Sequence, residues 1–121
     1  MAKVLIVDDS LLLRNIIKNQ LSSQGYEIVG EAKNGEEAIT LYDQTQPDLV
    51  TMDITMDGMN GLDAAKEILS KNPNANIIMV SALGEDEIMS QAIKLGVRDF
   101  IVKPFVPDRL ISAVKKVIAK T

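Results

Sequence analysis

At 121 residues with 46% apolar side chains, the chain has the length of one compact domain and enough apolar material for a real core. The absence of cysteine excludes a disulfide framework, a thiolate metal site and a cysteine nucleophile, and the absence of histidine removes the commonest general base. A net charge of -4 argues against a polyanion held on a basic surface, so the expected partner is a protein and not a nucleic acid.

The chain opens on Val4-Leu5-Ile6-Val7, a short unbroken apolar run of the kind found in strands buried on both faces, and this run ends in Asp8-Asp9. Leu13, Ile16, Ile17 and Leu21 then recur at helical intervals, with Asp9-Ser10 suited to capping and Gly25 to ending that helix. Ile28-Val29 predicts a second strand, Asn34 a cap, and Ala38, Leu41 and Tyr42 a second helix. Pro47 punctuates the chain before Leu49-Val50 and Met52, whose strand ends in Asp53. Leu62, Ala65, Ile68 and Leu69 predict a third helix stopped by Asn72-Pro73. Ile77-Ile78-Met79-Val80 runs into Ser81, and Ile88, Ala92 and Ile93 form a fourth helical period closed by Gly96. Phe100-Ile101-Val102 ends in Lys103-Pro104, and Leu110, Val114, Val117 and Ile118 give the last helix. No linker, low-complexity segment or charge block interrupts the pattern, so 1–121 reads as a single domain. No apolar run is long enough to span a bilayer and no secretory pattern opens the chain, which predicts a cytoplasmic protein without membrane insertion.

Strands alternating with helices imply an α/β fold, a five-stranded parallel sheet doubly wound by helices on both faces. In such sheets ligands bind beyond the carboxyl ends of the strands, where the chain order reverses. Asp8, Asp9, Asp53, Ser81 and Lys103 all stand at strand ends and so converge on that edge. Taken singly, each has an ordinary alternative: a helix cap, a turn residue, a surface lysine. Together they do not, because two carboxylates about 5 Å apart repel by about 3 kcal/mol at an effective dielectric of about 20. A hard divalent cation relieves that repulsion, and Mg²⁺ typically combines one or two carboxylates with waters and phosphate oxygens. A carboxylate nucleophile, a metal, a cation and a hydroxyl are the parts phosphoryl transfer needs.

The ordered set Asp8-Asp9, Asp53, Ser81 and Lys103-Pro104-Phe105 resembles the response-regulator receiver family over the whole chain, most closely its stand-alone chemotaxis members of the CheY type. The resemblance implies a flavodoxin-like (βα)5 fold with strand order 2-1-3-4-5, phosphorylation on Asp53, and Mg²⁺ held by Asp9, by Asp8 largely through water, by Asp53 and by the Thr55 backbone carbonyl. It implies phosphate contacts from Lys103 and Ser81, a switch pairing Ser81 with Phe100, and a cis bond at Lys103-Pro104. A buried core position is the ordinary alternative for Phe100. It further implies a histidine kinase as phosphodonor, which suits a chain without histidine, a protein target such as a flagellar motor switch, and a monomer that catalyses only its own phosphorylation and dephosphorylation. Thr55 and Leu83 fall where the family tunes hydrolysis, and neither offers a carboxylate or amide to orient water, so slow self-dephosphorylation and a separate phosphatase are expected.

The chain departs from the family after Asp53, reading Met56-Asp57-Gly58-Met59-Asn60-Gly61 where a proline usually follows the first methionine. The change predicts a looser loop, with Asp57 either a solvated turn residue or an extra outer acid. A haloacid dehalogenase-type phosphatase would need a second Asp where Thr55 stands, and a flavin binder would need a phosphate loop where Asp8-Asp9 repel phosphate. A receiver that signals without phosphorylation is the third alternative, and its usual mark, a missing site residue, is absent. The resemblance places the output surface on the fourth helix, fifth strand and fifth helix. Arg109, Lys115, Lys116 and Lys120 on the last helix are either part of it or a solvated face.

Overall fold

The computed structural model describes residues 1–120. Ten elements alternate strictly: β1 (Lys3–Val7), α1 (Leu11–Ser22), β2 (Glu27–Ala32), α2 (Gly35–Thr45), β3 (Leu49–Met52), α3 (Gly61–Lys71), β4 (Ile77–Ser81), α4 (Asp86–Leu95), β5 (Asp99–Val102) and α5 (Pro107–Ala119). All strand pairs are parallel and the order is β2-β1-β3-β4-β5, so the chain reverses direction across the sheet between β1 and β3. The (βα)5 class and strand order agree with the sequence expectation.

Side chains on a strand alternate between faces, which divides β1 between two cores. Leu5 and Val7 pack with Ala38, Tyr42, Ala65, Ile68 and Ala92 under α2, α3 and α4. Val4 and Ile6 pack with Ile17, Leu21, Leu110 and Val114 under α1 and α5. Leu5, Ile6, Ile77 and Ile78 are fully excluded from solvent; each such side chain contributes roughly 1.5–3 kcal/mol of transfer free energy. This two-sided burial is why the strands read as continuous apolar runs.

Caps fix where the helices begin. Ser10 Oγ accepts from the Leu13 N–H, Asn34 Oδ1 from the Glu37 N–H and Asn60 Oδ1 from the Asp63 N–H, each typically worth about 1 kcal/mol. The first two were expected from sequence. The third sits inside the departing loop and was not. Pro107 opens α5, where a missing N–H costs nothing. Gln46 ends α2 in the left-handed region at φ 46, a conformation its side chain does not advertise; its Nε2 donates to the Tyr42 and Asp43 carbonyls. The Lys103-Pro104 bond is cis.

Candidate functional site

Backbone bonds beyond the strands carry the functional side chains to one edge. The Asp8 N–H donates to Ala32 O at 3.0 Å, the Asp53 N–H to Val7 O at 2.9 Å and the Lys103 N–H to Ser81 O at 2.8 Å. One carboxylate oxygen from each of Asp8, Asp9 and Asp53 then lies within 4.8 Å of the others. Asp8 and Asp53 are buried, at 1% and 5% exposure, whereas Asp9 faces solvent.

Lys103 bridges the buried pair, its Nζ donating to Asp8 Oδ2 at 2.7 Å and lying 3.5 Å from Asp53 Oδ2. Asp8 Oδ1 accepts from the Ser10 N–H at 2.9 Å, and Asp53 Oδ1 from the Ile54 N–H at 2.8 Å. Arg14, which sequence reasoning passed over, donates from Nη1 to the Asp8 carbonyl at 2.7 Å while its Nε pairs with Glu31. Nothing in the local pattern marked it, because the bond exists only once α1 is docked.

Three carboxylates against one ammonium leave two negative charges in excess. Burial pushes the Asp53 carboxyl from 3.8 up to about 6; Lys103 and the Ile54 N–H oppose the rise, and the charges of Asp8 and Asp9 add to it. The donor set is all oxygen, partly buried and over-charged, which fits a hard divalent cation.

A carboxyl whose pKa is raised by folding binds its proton better in the native state. Its contribution to stability is complete below its ordinary value of 3.8 and is lost as pH rises through about 6. Without metal, the wild-type protein therefore loses stability relative to Asp53→Asn between about pH 4 and pH 7, by roughly 2–3 kcal/mol. Urea unfolding of both proteins across that range measures the difference, and parallel curves would refute it.

The remaining expected site residues stand on β4, β5 and the loops that follow β3 and β4. Ser81 is buried at the end of β4 and its Oγ accepts from the Leu83 N–H at 3.1 Å. Phe100 is turned into the core of the α2–α4 side, 5% exposed. Thr55 and Asp57 are exposed on the β3–α3 loop and Leu83 is half-buried. That loop is tethered to α2 at Met59, whose N–H donates to Glu36 Oε1 at 2.7 Å and whose carbonyl accepts from the Gly35 N–H at 3.1 Å. Glu36 and Gly61 are further residues near the site that sequence reasoning did not single out. Glycine directly after the capping Asn60 was the available signal for Gly61, since a helix start seldom requires glycine unless something approaches it closely.

A profile described as the response regulator receiver domain matches residues 4–115. "Chemotaxis protein CheY" of Thermotoga maritima is 52% identical over 115 residues, covering 95% of this chain and 96% of that protein. "Chemotaxis protein CheY" of Bacillus subtilis is 47% identical over 116 residues, covering 96% and 97%. Among solved structures, the CheX-CheY-BeF3-Mg+2 complex from Borrelia burgdorferi matches with a TM-score of 0.94 at 36% identity, over 96% of this chain and 88% of that one.

Proposed function

Since the chain belongs to the response-regulator receiver family, we propose that it is a Mg²⁺-dependent phosphorylated switch in which Asp53 accepts a phosphoryl group from a histidine kinase. The observation that carries this reading is the buried Asp53 carboxylate, within 4.8 Å of Asp8 and Asp9 and beside the Lys103 ammonium.

An Asp53 carboxylate oxygen attacks phosphorus, the new O–P bond forms as the bond to the donor breaks, and the donor group leaves with the displaced electron pair. Asp8, Asp9, Asp53 and the Thr55 carbonyl are the residues to hold Mg²⁺. When bound, the ion supplies positive charge against the phosphoryl oxygens. Lys103 already spans Asp8 and Asp53, and its ammonium is placed to meet a phosphoryl oxygen once Asp53 is esterified. Ser81, freed from the Leu83 N–H, supplies a hydroxyl to the same group. The movement of Ser81 alters the surface of α4, β5 and α5 that meets a protein target; Phe100 is already turned into the core and needs no inward turn to accompany it. The chain acts on no external substrate.

The two chemotaxis proteins matched over nearly their whole length favour a chemotaxis role, with a flagellar motor switch as target and a separate phosphatase to end the signal. A second reading, a receiver working in another phosphorelay or within a longer regulator, is favoured by the transcriptional regulatory protein PdtaR of Mycobacterium tuberculosis. It is 39% identical, and the match covers 57% of it. No helix among the described residues is long and apolar enough to cross a membrane; we take the protein to act in the cytoplasm as a monomer.

Incubation with acetyl phosphate and Mg²⁺ is expected to add one phosphoryl group to the wild type and none to Asp53→Asn, read by intact mass. Equal gain in both would overturn the assignment. The same mass trace, followed after donor removal, is expected to decay slowly and to decay faster in Leu83→Glu.

A further inference from the structure

The segment after Asp53 lacks proline, contains Gly58 at φ +76 and presents Asp57 to solvent, yet it must hold the Thr55 carbonyl still for the proposed metal. Among the described residues its own hydrogen bonds lie at its two ends, while the Met56 side chain between them is buried in the core. At the start, the Ile54 N–H donates to Asp53 Oδ1 at 2.8 Å. At the finish, the Gly61 N–H closes the loop onto Ile54 O at 2.8 Å.

Between these anchors the hydrogen bonds from outside the segment come, among the described residues, from α2. The first two residues of that helix take both polar backbone groups of Met59: Glu36 Oε1 accepts the N–H at 2.7 Å and the Gly35 N–H donates to the carbonyl at 3.1 Å. The approach is close on both counts. A Cβ on Gly35 would lie 2.6 Å from Met59 O, and one on Gly58 would lie 3.0 Å from Glu36 Oε1. Glu36 is itself favoured where it stands, since a carboxylate in the first turn of a helix meets the positive end of the helix dipole. Its bond to Met59 is short and requires of the side chain an acceptor oxygen at that place.

We propose that Glu36 is a positioning residue for the phosphorylation site: its carboxylate latches Met59 to α2 and so holds the Asp53–Gly61 loop, and with it the Thr55 carbonyl, in the geometry that binds the divalent cation. The proposal rests on the receiver reading above. Glu36 touches neither metal nor phosphoryl group; it acts through the loop. The tether from a neighbouring helix thus holds a loop that has no proline of its own.

Two substitutions separate the latch from simple charge. Glu36→Gln removes the negative charge but keeps an acceptor oxygen, whereas Glu36→Ala removes both. Magnesium binding by titration, together with hydrogen exchange at the Met59 amide in the full chain without metal, reads the effect. Glu36→Ala is expected to weaken Mg²⁺ binding by roughly tenfold, the low end for residues that orient ligands from outside, and to speed Met59 exchange. Glu36→Gln is expected to stay within about twofold of wild type in Mg²⁺ binding and to retain the slow amide. Impairment of Gln equal to that of Ala assigns the effect to charge and overturns the latch, as does a Glu36→Ala protein that binds like wild type. Wild type that binds no Mg²⁺ and takes no phosphoryl from acetyl phosphate would instead refute the receiver reading, and the metal-free amide exchange still reports on the tether in that case.

Discussion

Gly61→Ala is expected to cost roughly 3 kcal/mol of stability or more, a large part of the 5–15 kcal/mol that holds a typical domain together. A Cβ at this position would lie 1.9 Å from the Asp53 carbonyl oxygen, 2.8 Å from its carbon and 3.0 Å from Ile54 Cα. All three are backbone atoms, so no rotamer change relieves the overlap. Nor can either partner move freely, because the Asp53 N–H is bonded to Val7 O at 2.9 Å and the Gly61 N–H to Ile54 O at 2.8 Å. The strain must separate the end of β3 from the start of α3, and the residue that moves is Asp53, the proposed phosphoryl acceptor. Phosphorylation by acetyl phosphate should therefore fall even at temperatures where the variant is folded. Gly25→Ala is the control: φ +89 makes the substitution unfavourable, but nothing lies within 4 Å, so the loss should be about 1–2 kcal/mol. Urea unfolding of the two variants decides the matter, and a Gly61→Ala protein no less stable than Gly25→Ala would show that the close approach relaxes without cost.

Lys103→Met should do its damage through charge. It leaves two carboxylates, Asp8 at 1% and Asp53 at 5% exposure, without the ammonium that lies 2.7 and 3.5 Å from them. Removing one partner of a buried ionic group typically costs about 3–5 kcal/mol, because the remaining charge stays desolvated. Asp53 can escape part of this by keeping its proton. Lys103 is the main influence holding its carboxyl down, so the variant should require a higher pH before it binds metal. Added Mg²⁺ binds only the folded state and should restore much of the lost stability, in proportion to the logarithm of its concentration above the dissociation constant. Phosphoryl acceptance should not recover with it, and should remain about a hundredfold or more below wild type, the usual loss when a fixed donor to the transferring group is removed. Thermal melts across a magnesium series and intact-mass time courses give both quantities. A metal-free Lys103→Met protein as stable as wild type would mean the carboxylates carry no net repulsion.

These residues separate local from global information. Ser10 and Asn34 could be read as caps because a cap is a bond between neighbours three positions apart. Asp8, Asp53, Ser81 and Lys103 could be placed at strand ends because each follows an apolar run whose length and unbroken character mark a strand buried on both faces. Their convergence followed from the alternation of strands and helices, which forces right-handed crossovers and a parallel sheet with all carboxyl ends on one edge. Element type, sheet class and the membership of the acidic site were thus settled by the sequence, since each depends on side-chain period or on the handedness of the chain.

The tertiary structure alone decided what those groups do to one another. Lys103 meets Asp8 across 95 positions of chain, Arg14 holds the Asp8 carbonyl, and Glu36 takes the Met59 N–H across 23 positions. None of these distances is implied by a local pattern. The raised Asp53 carboxyl belongs here too, for its first cause is burial, a property of the packed fold and not of aspartate itself. The same holds for Gly61, whose need to be glycine comes from a backbone approach to Asp53. Propensity and periodicity act over a few residues, whereas Coulomb energy and steric exclusion act through space, so their outcome is set only when distant segments are packed together.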